Sequence, residues 1–273
     1  MRILKYILSI VLVLIITACE EVIDVELNNV PPRLVIDAAI NWQKGTDGKD
    51  QVIKLSLTAP FFNGTIQPAT GATINITDTS NNTFNFIEEA SSGIYKNNSF
   101  IPVINGVYNL NITYNNEQYS ATETLIPVVP IEYVEQKNDG GFSGDQIELK
   151  AFYTDPIDIE NFYLFEFNIV KYNTTFLDAY NDEFTDGSQI FAFYTNDDME
   201  LVDEIIITNH GLSERAFEFY NILLQQKAEN NGGPFETQPA TVRGNCNNQT
   251  NPDNFPLGYF RVSEIDVFSY IIE

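Results

Sequence analysis

Apolar and polar residues alternate along much of the first half of the chain. In the segment 51–58 (QVIKLSLT), Ile53, Leu55 and Leu57 share one side and polar residues occupy most of the other. A period of two is typical of a half-buried β-strand. Comparable runs occupy residues 33–42, 72–79, 83–89 and 106–125. Several short strands at close spacing predict an immunoglobulin-like β-sandwich over residues 33–128.

One of these runs contains a hairpin signal. Asn115 and Asn116 separate two alternating stretches, and asparagine tolerates the positive φ that tight hairpin turns require. We therefore expect two antiparallel strands joined at this pair.

The second half continues the β pattern after a Pro-containing boundary at residues 126–133. Its apolar runs are rich in β-branched and aromatic residues, which suit a pleated and partly buried surface. These runs cover residues 145–156, 161–173, 190–195 and 200–208, and the polar stretch 173–189 is interpreted as an excursion between strands. The pattern predicts a β-rich C-terminal domain over residues 129–273.

This domain contains one predicted α-helix, at about residues 213–230. Ser213 is a good N-cap, Glu214 places negative charge in the first turn, and Leu212 with Phe217 matches a hydrophobic staple. Apolar residues at Leu212, Phe217, Tyr220 and Leu224 recur at helical spacing, and NNGGP at 230–234 ends the pattern. We expect this helix to pack on the second sheet.

The first 18 residues have the pattern of a secretory signal peptide. Arg2 and Lys5 precede an apolar run at 7–16 that is too short to span a bilayer. The order Ile16-Thr17-Ala18-Cys19 resembles the lipobox of bacterial lipoproteins, which implies cleavage before Cys19 and acylation of this residue, including by palmitate. Two or more acyl chains hold a protein firmly on a membrane. The alternative is an ordinary signal peptide with a chance cysteine.

Residues 19–32 form a predicted lipidated, acidic tether. Its four acids are Glu20, Glu21, Asp24 and Glu26, and it ends in Pro-Pro; this composition suits an extended linker. The segment also resembles the signal that sends lipoproteins of Bacteroidota to the outer face of the outer membrane. We expect a lipid-anchored outer-membrane protein at the cell surface, with the periplasmic face as the alternative.

Charge and cysteine content narrow the function further. The formal net charge of −24 excludes nucleic acid as a partner, because phosphate binding needs clustered Lys and Arg. With Cys19 lipidated, Cys246 has no second cysteine to pair with, since the chain has two. We interpret Cys246 as an unreactive residue in a polar loop.

The sequence predicts no enzyme, no catalytic residue and no cofactor. The chain has one histidine, His210, so a triad or zinc site would depend on it alone. Ser213 is close to it, but the N-cap role accounts for this serine, and the Gly-x-Ser-x-Gly elbow of many hydrolases is missing. Two oxygen-rich loops, Thr46–Asp50 and Asn181–Gly187, could coordinate calcium. Neither follows EF-hand spacing, so solvated turns are favoured and no metal site is predicted.

The C-terminal region is similar to a known family. The segments 211–248 and 251–266 resemble the signature of a lipoprotein family of Bacteroidota, domain of unknown function 4249. The matching positions are Gly232, Gly233, Pro234, Phe235, Gly244, Asn245, Leu257, Gly258, Tyr259 and Phe260. We interpret them as structural, with Gly258 allowing a bulge. The resemblance implies a non-catalytic accessory or capping subunit of a TonB-dependent β-barrel receptor in solute uptake.

A stand-alone surface adhesin is the alternative function. It would bind a glycan or a protein through loops and exposed aromatic residues on a rigid sandwich. The candidate residues are Phe176, Tyr180, Phe184, Phe191, Phe193 and Tyr194.

Overall fold

The described residues fold mainly into β-strands. A computed structural model of the chain describes residues 31–60, 64–141, 144–228 and 242–273. The strands are β1 Leu34–Gln43, β2 Gln51–Leu57, β3 Gln67–Pro68, β4 Thr73–Asp78, β5 Thr83–Glu88, β6 Ile94–Asn97, β7 Val107–Tyr114, β8 Glu117–Thr124, β9 Tyr133–Gly140, β10 Gln146–Thr154, β11 Phe162–Ile169, β12 Thr174–Asn181, β13 Gln189–Asn196, β14 Glu204–Leu212, β15 Asn247–Asn248 and β16 Leu257–Ile271. One helix within this part, α1, spans Glu214–Ala228. The predicted fold class, mainly β with one helix, is confirmed.

The strands form one large sheet and one small one. The large sheet has the order β12-β11-β14-β16-β1-β2-β6-β5-β4-β7-β8-β15, and β3 pairs with β2 at its side. The small sheet has the order β13-β10-β9. Most neighbours are antiparallel, as expected for hairpin-connected strands.

The large sheet bends at β5. This strand pairs with β4 through one part of its length and with β6 through Ile87 and Glu88. The bend places β4, β7 and β8 opposite β1, β2 and β6, and the apolar faces of the two layers share one core. Members of this core include Ile36, Ile53, Tyr95, Leu110 and Ile112. We call this unit the first sandwich. At its predicted hairpin, Asn115 and Asn116 have φ of 48° and 64°, and β7 and β8 pair up to this turn.

A second layered unit is built from β9–β14 and the C-terminal half of β16. The small sheet packs against β11, β14 and β16 over a core that contains many aromatic rings. Phe165 and Phe167 from β11 and Tyr153 and Tyr194 from the small sheet are all buried there. We call this unit the second sandwich.

Strand β16 belongs to both sandwiches. Its first half pairs in parallel with β1, from Val35 opposite Leu257 to Gln43 opposite Ile265. Its second half pairs antiparallel with β14. Gly258 has φ +89°, and a Cβ there would collide with the carbonyl oxygen of Ile36. The register runs through Gly258 without a shift, so the expected bulge is absent and the glycine is required by its φ and by the close approach of β1.

The boundary segment between the halves is bound along β16. The Val128 N–H donates to Glu264 Oε2 at 2.9 Å, and the Ile131 N–H donates to Asp266 Oδ2 at 2.8 Å. The described residues from Pro32 to Glu273 form one compact unit. The division into domains at residues 33–128 and 129–273 stays a prediction.

Helix α1 begins as the sequence predicts. The Ala216 N–H donates to Ser213 Oγ at 3.3 Å, which is the expected N-cap bond. Ala216 and Phe219 are the helical residues buried most deeply, and they pack with Leu164 of β11 and with Tyr259. The helix therefore covers the large sheet beside the second sandwich.

Several predicted features lie outside the described residues. They are the signal peptide at 1–18, the lipid attachment residue Cys19, the acids of the tether, and Gly232, Gly233, Pro234 and Phe235. Within the described ranges, no helix combines the length and apolar character needed to span a bilayer.

Candidate functional site

Cys246 lies in the core of the first sandwich. Its side chain is buried with those of the β-strands, and burial raises the pKa of its thiol to about 12. Cys246 does lie in an irregular segment just before β15, but the predicted polar setting is wrong, because its side chain acts as a small apolar core residue. A thiol with this pKa is protonated and unreactive at neutral pH.

The positions of the family signature that the structure describes include Asn245, Tyr259 and Phe260, which are held by hydrogen bonds within the fold. Its side-chain amide pairs with the backbone of Phe260: Asn245 Nδ2 donates to the carbonyl at 2.7 Å, and the Phe260 N–H donates to Asn245 Oδ1 at 2.9 Å. The Tyr259 hydroxyl donates to Glu123 Oε2 at 3.0 Å. Burial raises the pKa of the Glu123 carboxyl. These bonds join β16 to β8 and explain both residues without a ligand.

His210 lies in a buried polar network below α1. Arg261 Nη1 donates to His210 Nδ1 at 2.8 Å and to Ser263 Oγ at 3.1 Å. Because Nδ1 accepts, the proton of the neutral imidazole is on Nε2, which lies 3.5 Å from Glu166 Oε2. Burial and the Arg261 charge lower the pKa of His210 to about 4, so the ring is neutral at pH 7. Ser213 uses its hydroxyl as the helix cap.

The first oxygen-rich loop, Thr46–Asp50, is a self-contained turn. Asp47 Oδ2 pairs with Lys49 Nζ at 3.0 Å, and both side chains are exposed. Thr46 Oγ1 donates to the Gln43 carbonyl at 2.7 Å, and Trp42 Nε1 donates to the Thr46 carbonyl at 2.9 Å. Lys49 therefore offsets the charge of Asp47, and the second acid of the loop, Asp50, is exposed, as expected of a solvated turn.

The second oxygen-rich loop contributes to a cluster of three carboxylates. Asp182 and Asp186 come from the β12–β13 loop, and Asp155 follows β10. One oxygen from each lies within 4.8 Å of the others. Asp155 and Asp182 are buried and Asp186 is exposed. We call these three residues the carboxylate cluster.

Hydrogen bonds hold each carboxylate in place. Tyr163 Oη donates to Asp155 Oδ1 at 2.7 Å. The Asn161 N–H donates to Asp182 Oδ2 at 2.8 Å, and the Asp158 N–H donates to Asp186 Oδ1 at 2.9 Å. Burial and the charges of the two other aspartates raise the pKa of Asp155. Among the ion pairs of the described ranges, none involves this cluster.

A row of aromatic rings lies on the outer face of the small sheet. Tyr133 stacks on Phe152 with ring centroids 4.6 Å apart, and Phe152 lies 5.3 Å from Phe191. Phe193 follows two residues later on the same face of β13. Tyr133, Phe191 and Phe193 are 38%, 40% and 36% exposed. We call these four residues the aromatic face.

The six predicted aromatic residues do not form one surface. Phe191 and Phe193 belong to the aromatic face, whereas Phe184 is 89% exposed on the β12–β13 loop. Tyr194 is buried, and Phe176 packs against its ring at 5.2 Å. Tyr180 is half-buried and accepts a hydrogen bond from the Phe193 N–H at 3.0 Å.

Sequence reasoning missed Asp155, Tyr133 and Phe152. Asp155 follows the apolar run of β10, so the sequence does indicate that it lies at the end of a strand. The sequence does not indicate that it contacts Asp182, because the two residues are far apart along the chain. Tyr133 and Phe152 lie opposite each other on the outer face of the small sheet. Alternation along a strand predicts which residues share a face, but it does not predict which residues of other strands lie beside them.

Comparisons with known proteins give one informative match. The family model described as "Domain of unknown function (DUF4249)" matches residues 20–268. No curated protein matches the chain. A two-domain fibronectin type III segment of chicken tenascin is 9% identical, covering 66% of this chain and 90% of the segment, with a TM-score of 0.21. A DUF4785 family protein from Legionella pneumophila is 9% identical, covering 67% of this chain and 53% of its own, with a TM-score of 0.26.

TM-scores this low do not establish a shared fold, and no property is transferred from either structure. The family match is different, because it extends over most of the sequence. The chain therefore belongs to DUF4249, a family defined by a domain of unknown function.

Proposed function

We propose that this protein is a lipid-anchored accessory subunit of an outer-membrane TonB-dependent receptor. Cys19 carries the lipid, residues 20–32 act as a tether, and the β-sandwich body caps or feeds the receptor during solute uptake. The observation that carries the proposal is the position of the lipobox. Ile16-Thr17-Ala18-Cys19 immediately precedes residue 20, where the family match begins, so cleavage before Cys19 would leave all of the matched residues, 20–268, attached to a lipidated first residue.

The resemblance to Bacteroidota lipoproteins supplies the proposed partner and the proposed orientation. Glu20, Glu21, Asp24 and Glu26 follow Cys19 directly and support display on the outer face. The formal net charge of −24 also favours a body that stands away from anionic head groups. A protein anchored beside a receptor needs little affinity of its own, because the shared membrane raises the effective concentration of both partners.

The anchor can be tested by radiolabelled palmitate and mass spectrometry in a Bacteroidota host. The full chain should incorporate palmitate and begin at a modified Cys19, whereas Cys19→Ala should incorporate none. Protease treatment of intact cells then reports the orientation. An unmodified amino terminus at the mature protein would contradict the anchor.

The partnership requires a separate experiment. Tagged full-length protein purified from solubilised outer membranes without crosslinking should recover a large β-barrel receptor. Cys19→Ala, expressed at the same level, should lose the receptor because it lacks co-localisation. Repeated recovery of the lipidated protein alone would contradict the receptor role while leaving the anchor intact.

The aromatic face favours a second candidate function, a surface adhesin that binds a glycan. Exposed rings stack on the apolar faces of sugars, and polar groups at the edge can bind hydroxyls. Gln189 borders the rings, with its amide donating to Glu132 Oε2 at 2.6 Å and its carbonyl 3.5 Å from the Tyr133 hydroxyl. Lys150 Nζ lies 5.0 Å from the centre of the Phe191 ring.

A glycan array separates this function from the first. Wild-type protein should bind a defined set of glycans, and Phe191→Ala should lose about tenfold or more in affinity, as expected for a stacking ring. Phe184→Ala is the matched control, because Phe184 is also exposed but lies on a loop. Silence of the wild-type protein on the array, or equal losses in both variants, would contradict glycan binding by this face.

A further inference from the structure

Strand β12 leaves one edge of the large sheet open. It pairs with β11 over its whole length without a shift in register. It is also the last strand in the sheet order, so no strand of the described residues lies on its other side. The backbone N–H and C=O groups of such an edge are a template for pairing with another chain. At Ala179 the N–H donates to Asp178 Oδ1 at 3.0 Å, so a side-chain oxygen, instead of a neighbouring strand, accepts this bond.

The other edges of the two sheets are short or protected. β9, at one edge of the small sheet, carries three charged side chains among its eight residues, and charges discourage the addition of a strand. β13, at the other edge, is bonded by the second sandwich itself, since the Phe193 N–H donates to the Tyr180 hydroxyl of β12. β3 and β15 have two residues each. β12 has eight residues, no proline and one charged residue, Asp178, so among the described strands it is the long edge without these protections.

Helix α1 forms a wall beside this open edge. A pocket of about 380 Å³ lies between the helix and β12. Leu177 and Ala179 pack with the helix, whereas Phe176 points to the opposite face of β12 and packs on Tyr194, as the alternation of a strand requires. The pocket nevertheless touches all of residues 176–179, so it follows the backbone edge of the strand as well as one face. Its helical lining consists of Asn221, Leu224 and Gln225.

A second pocket continues this groove toward the start of α1. It has a volume of about 200 Å³ and lies between Asn181, the last residue of β12, and the first turns of the helix. Helical residues that recur every three or four positions share one stripe, and those of the two pockets are Glu214, Phe217, Glu218, Asn221, Leu224 and Gln225. The first pocket is mainly apolar. The second is lined by the acids Glu160, Asp182, Glu183, Glu214 and Glu218. We call the two pockets together the edge groove.

We propose that the edge groove binds an extended segment of a partner protein, which adds to β12 as a further strand and carries Lys or Arg at the acidic end. In this mode of recognition, backbone hydrogen bonds to an open edge supply affinity, and alternate side chains of the added segment enter pockets. Four residues of β12 extend over about 13 Å at roughly 3.3 Å per residue, which is long enough for several such bonds. The mainly apolar first pocket accepts the apolar side chains of the segment.

Charge identifies the occupant as a basic segment. Among the ion pairs of the described ranges, none involves an acid of the edge groove. A cleft lined by one sign of charge attracts a partner of the opposite sign. A second copy of this chain would instead bring a further formal charge of −24 and the same acids to the groove, so two copies would repel each other. The inference concerns the β-sandwich body and requires neither the lipid anchor nor the receptor.

The test begins with a library of random dodecapeptides displayed on phage and selected on the full-length chain in detergent. Enriched peptides should alternate apolar and polar residues and carry Lys or Arg near one end. In fluorescence anisotropy with the synthetic peptides, Gln225→Arg should weaken binding about tenfold or more, because it places a large cation in the groove. Leu223→Arg is the matched control. It adds the same charge to an exposed position of α1 that lines neither pocket, so its affinity should equal that of the wild-type protein.

Charge and backbone pairing are then tested separately. Glu218→Gln, at an exposed position of the acidic pocket, should lower the affinity for the basic peptides severalfold. In an added strand, alternate N–H groups point toward the neighbouring strand. N-methylation of one alternate set of peptide residues should therefore weaken binding about tenfold or more, and methylation of the other set should have little effect.

Four results would overturn the proposal. They are failure of the library to yield a peptide that prefers the wild-type protein to Gln225→Arg, equal losses in Gln225→Arg and Leu223→Arg, equal effects of the two methylation patterns, and enrichment of acidic peptides. Sedimentation of the wild-type protein in detergent tests the remaining occupant. A monomer is expected, whereas a dimer that Gln225→Arg dissociates would assign the edge groove to a second copy and would also overturn the proposal.

Discussion

The two halves of the protein bury different kinds of polar group. In the described residues up to 128, the polar side chains that are almost fully buried, besides tyrosine, are the amides of Gln51 and Asn97, whereas the Glu123 carboxyl, whose pKa burial also raises, is half-buried. Both amides bond to backbone groups, as when Asn97 Nδ2 donates to the Asn85 carbonyl at 2.8 Å. In the described residues after 128, the buried side chains include ionisable groups. These are Asp155, Asp182, Asp203, His210, Arg261 and Glu264.

The difference shows where solution conditions can act on the fold. An amide satisfied by backbone groups stabilises equally at any pH, whereas a buried ionisable group changes the free energy of unfolding with pH or with ion binding. The two oxygen-rich loops repeat this contrast: Asp47 is exposed and paired with Lys49, but Asp182 is buried beside Asp155. The amino-acid composition of the two loops does not distinguish them. They differ because Asp182 is buried and because Asp155, at the end of a strand that is distant in the sequence, lies beside it.

The largest expected effect is loss of stability in acid through His210. The pKa of His210 is lowered from 6.5 to about 4 by burial and by Arg261. Between these values the unfolded chain binds the proton and the folded chain does not, so stability is present above pH 6.5 and is lost as pH falls toward 4. About 3 kcal/mol should be lost. Chemical denaturation of the full chain across this range should show a much flatter profile for His210→Gln.

The profile of His210→Gln is compared with that of the wild-type protein, because other acids titrate in both. His210 is the one histidine of the chain, so its NMR ring signal reports the pKa directly. Parallel denaturation profiles, or a signal that titrates near 6.5, would show that the imidazole is not held in its neutral form.

The second effect comes from Gln51 and should not depend on pH. Gln51 Oε1 accepts the Asn41 N–H at 3.0 Å, and its Nε2 donates to the carbonyls of Asn41 and Gly48 at 2.8 Å. Gln51→Met leaves these buried groups unpaired and should cost about 2 kcal/mol by urea denaturation, equally at pH 5 and pH 8. Gln51→Glu, of the same shape, should instead give a loss that grows as pH rises. A pH-dependent loss for Gln51→Met would remove the contrast between the halves.

Much of the difference between the two halves could not be predicted from the sequence. The hairpin at Asn115-Asn116 and the cap at Ser213 were predicted correctly, because each depends on a few adjacent residues. Strand β12 was not predicted, because its composition is largely polar. In the structure, its partly buried apolar side chains pack against α1. The parallel pairing of β1 with β16 joins opposite ends of the chain, and no local pattern encodes which distant strands meet.

The candidate sites follow the same rule. Residues 181–187 were recognised as oxygen-rich, yet the third carboxylate, Asp155, comes from another sheet. The aromatic face likewise combines rings from three strands. The sequence shows which segments carry oxygen-rich or aromatic side chains. The contacts that bring these side chains together depend on tertiary structure.

A third, opposite pH effect is expected from Asp155 in the presence of a chelator. Its pKa is raised by burial and by Asp182 and Asp186, so the folded chain holds the proton to higher pH than the unfolded chain. Stability from this group is therefore present at low pH and is lost as pH rises through the raised pKa. Asp155→Asn should lack this decline and still accept the Tyr163 hydroxyl. The measurement is urea denaturation of both proteins between pH 3 and pH 7.

A wild-type profile that stays flat in the chelator would mean that the carboxylates are too well solvated to repel each other.

The smallest effect is expected from Asp47. Hydrogen bonds from Lys49 lower the pKa of its carboxyl, and a lowered pKa adds stability above the unfolded value that is lost in acid. However, both side chains are exposed, and solvent screens such a pair until its contribution is close to zero. Asp47→Asn should therefore have the same urea midpoint as the wild-type protein at pH 4 and at pH 7. If the pH profile of Asp47→Asn differed from that of the wild-type protein as strongly as the profile of His210→Gln does, surface charge alone could produce such differences, and burial would no longer explain why the two halves differ.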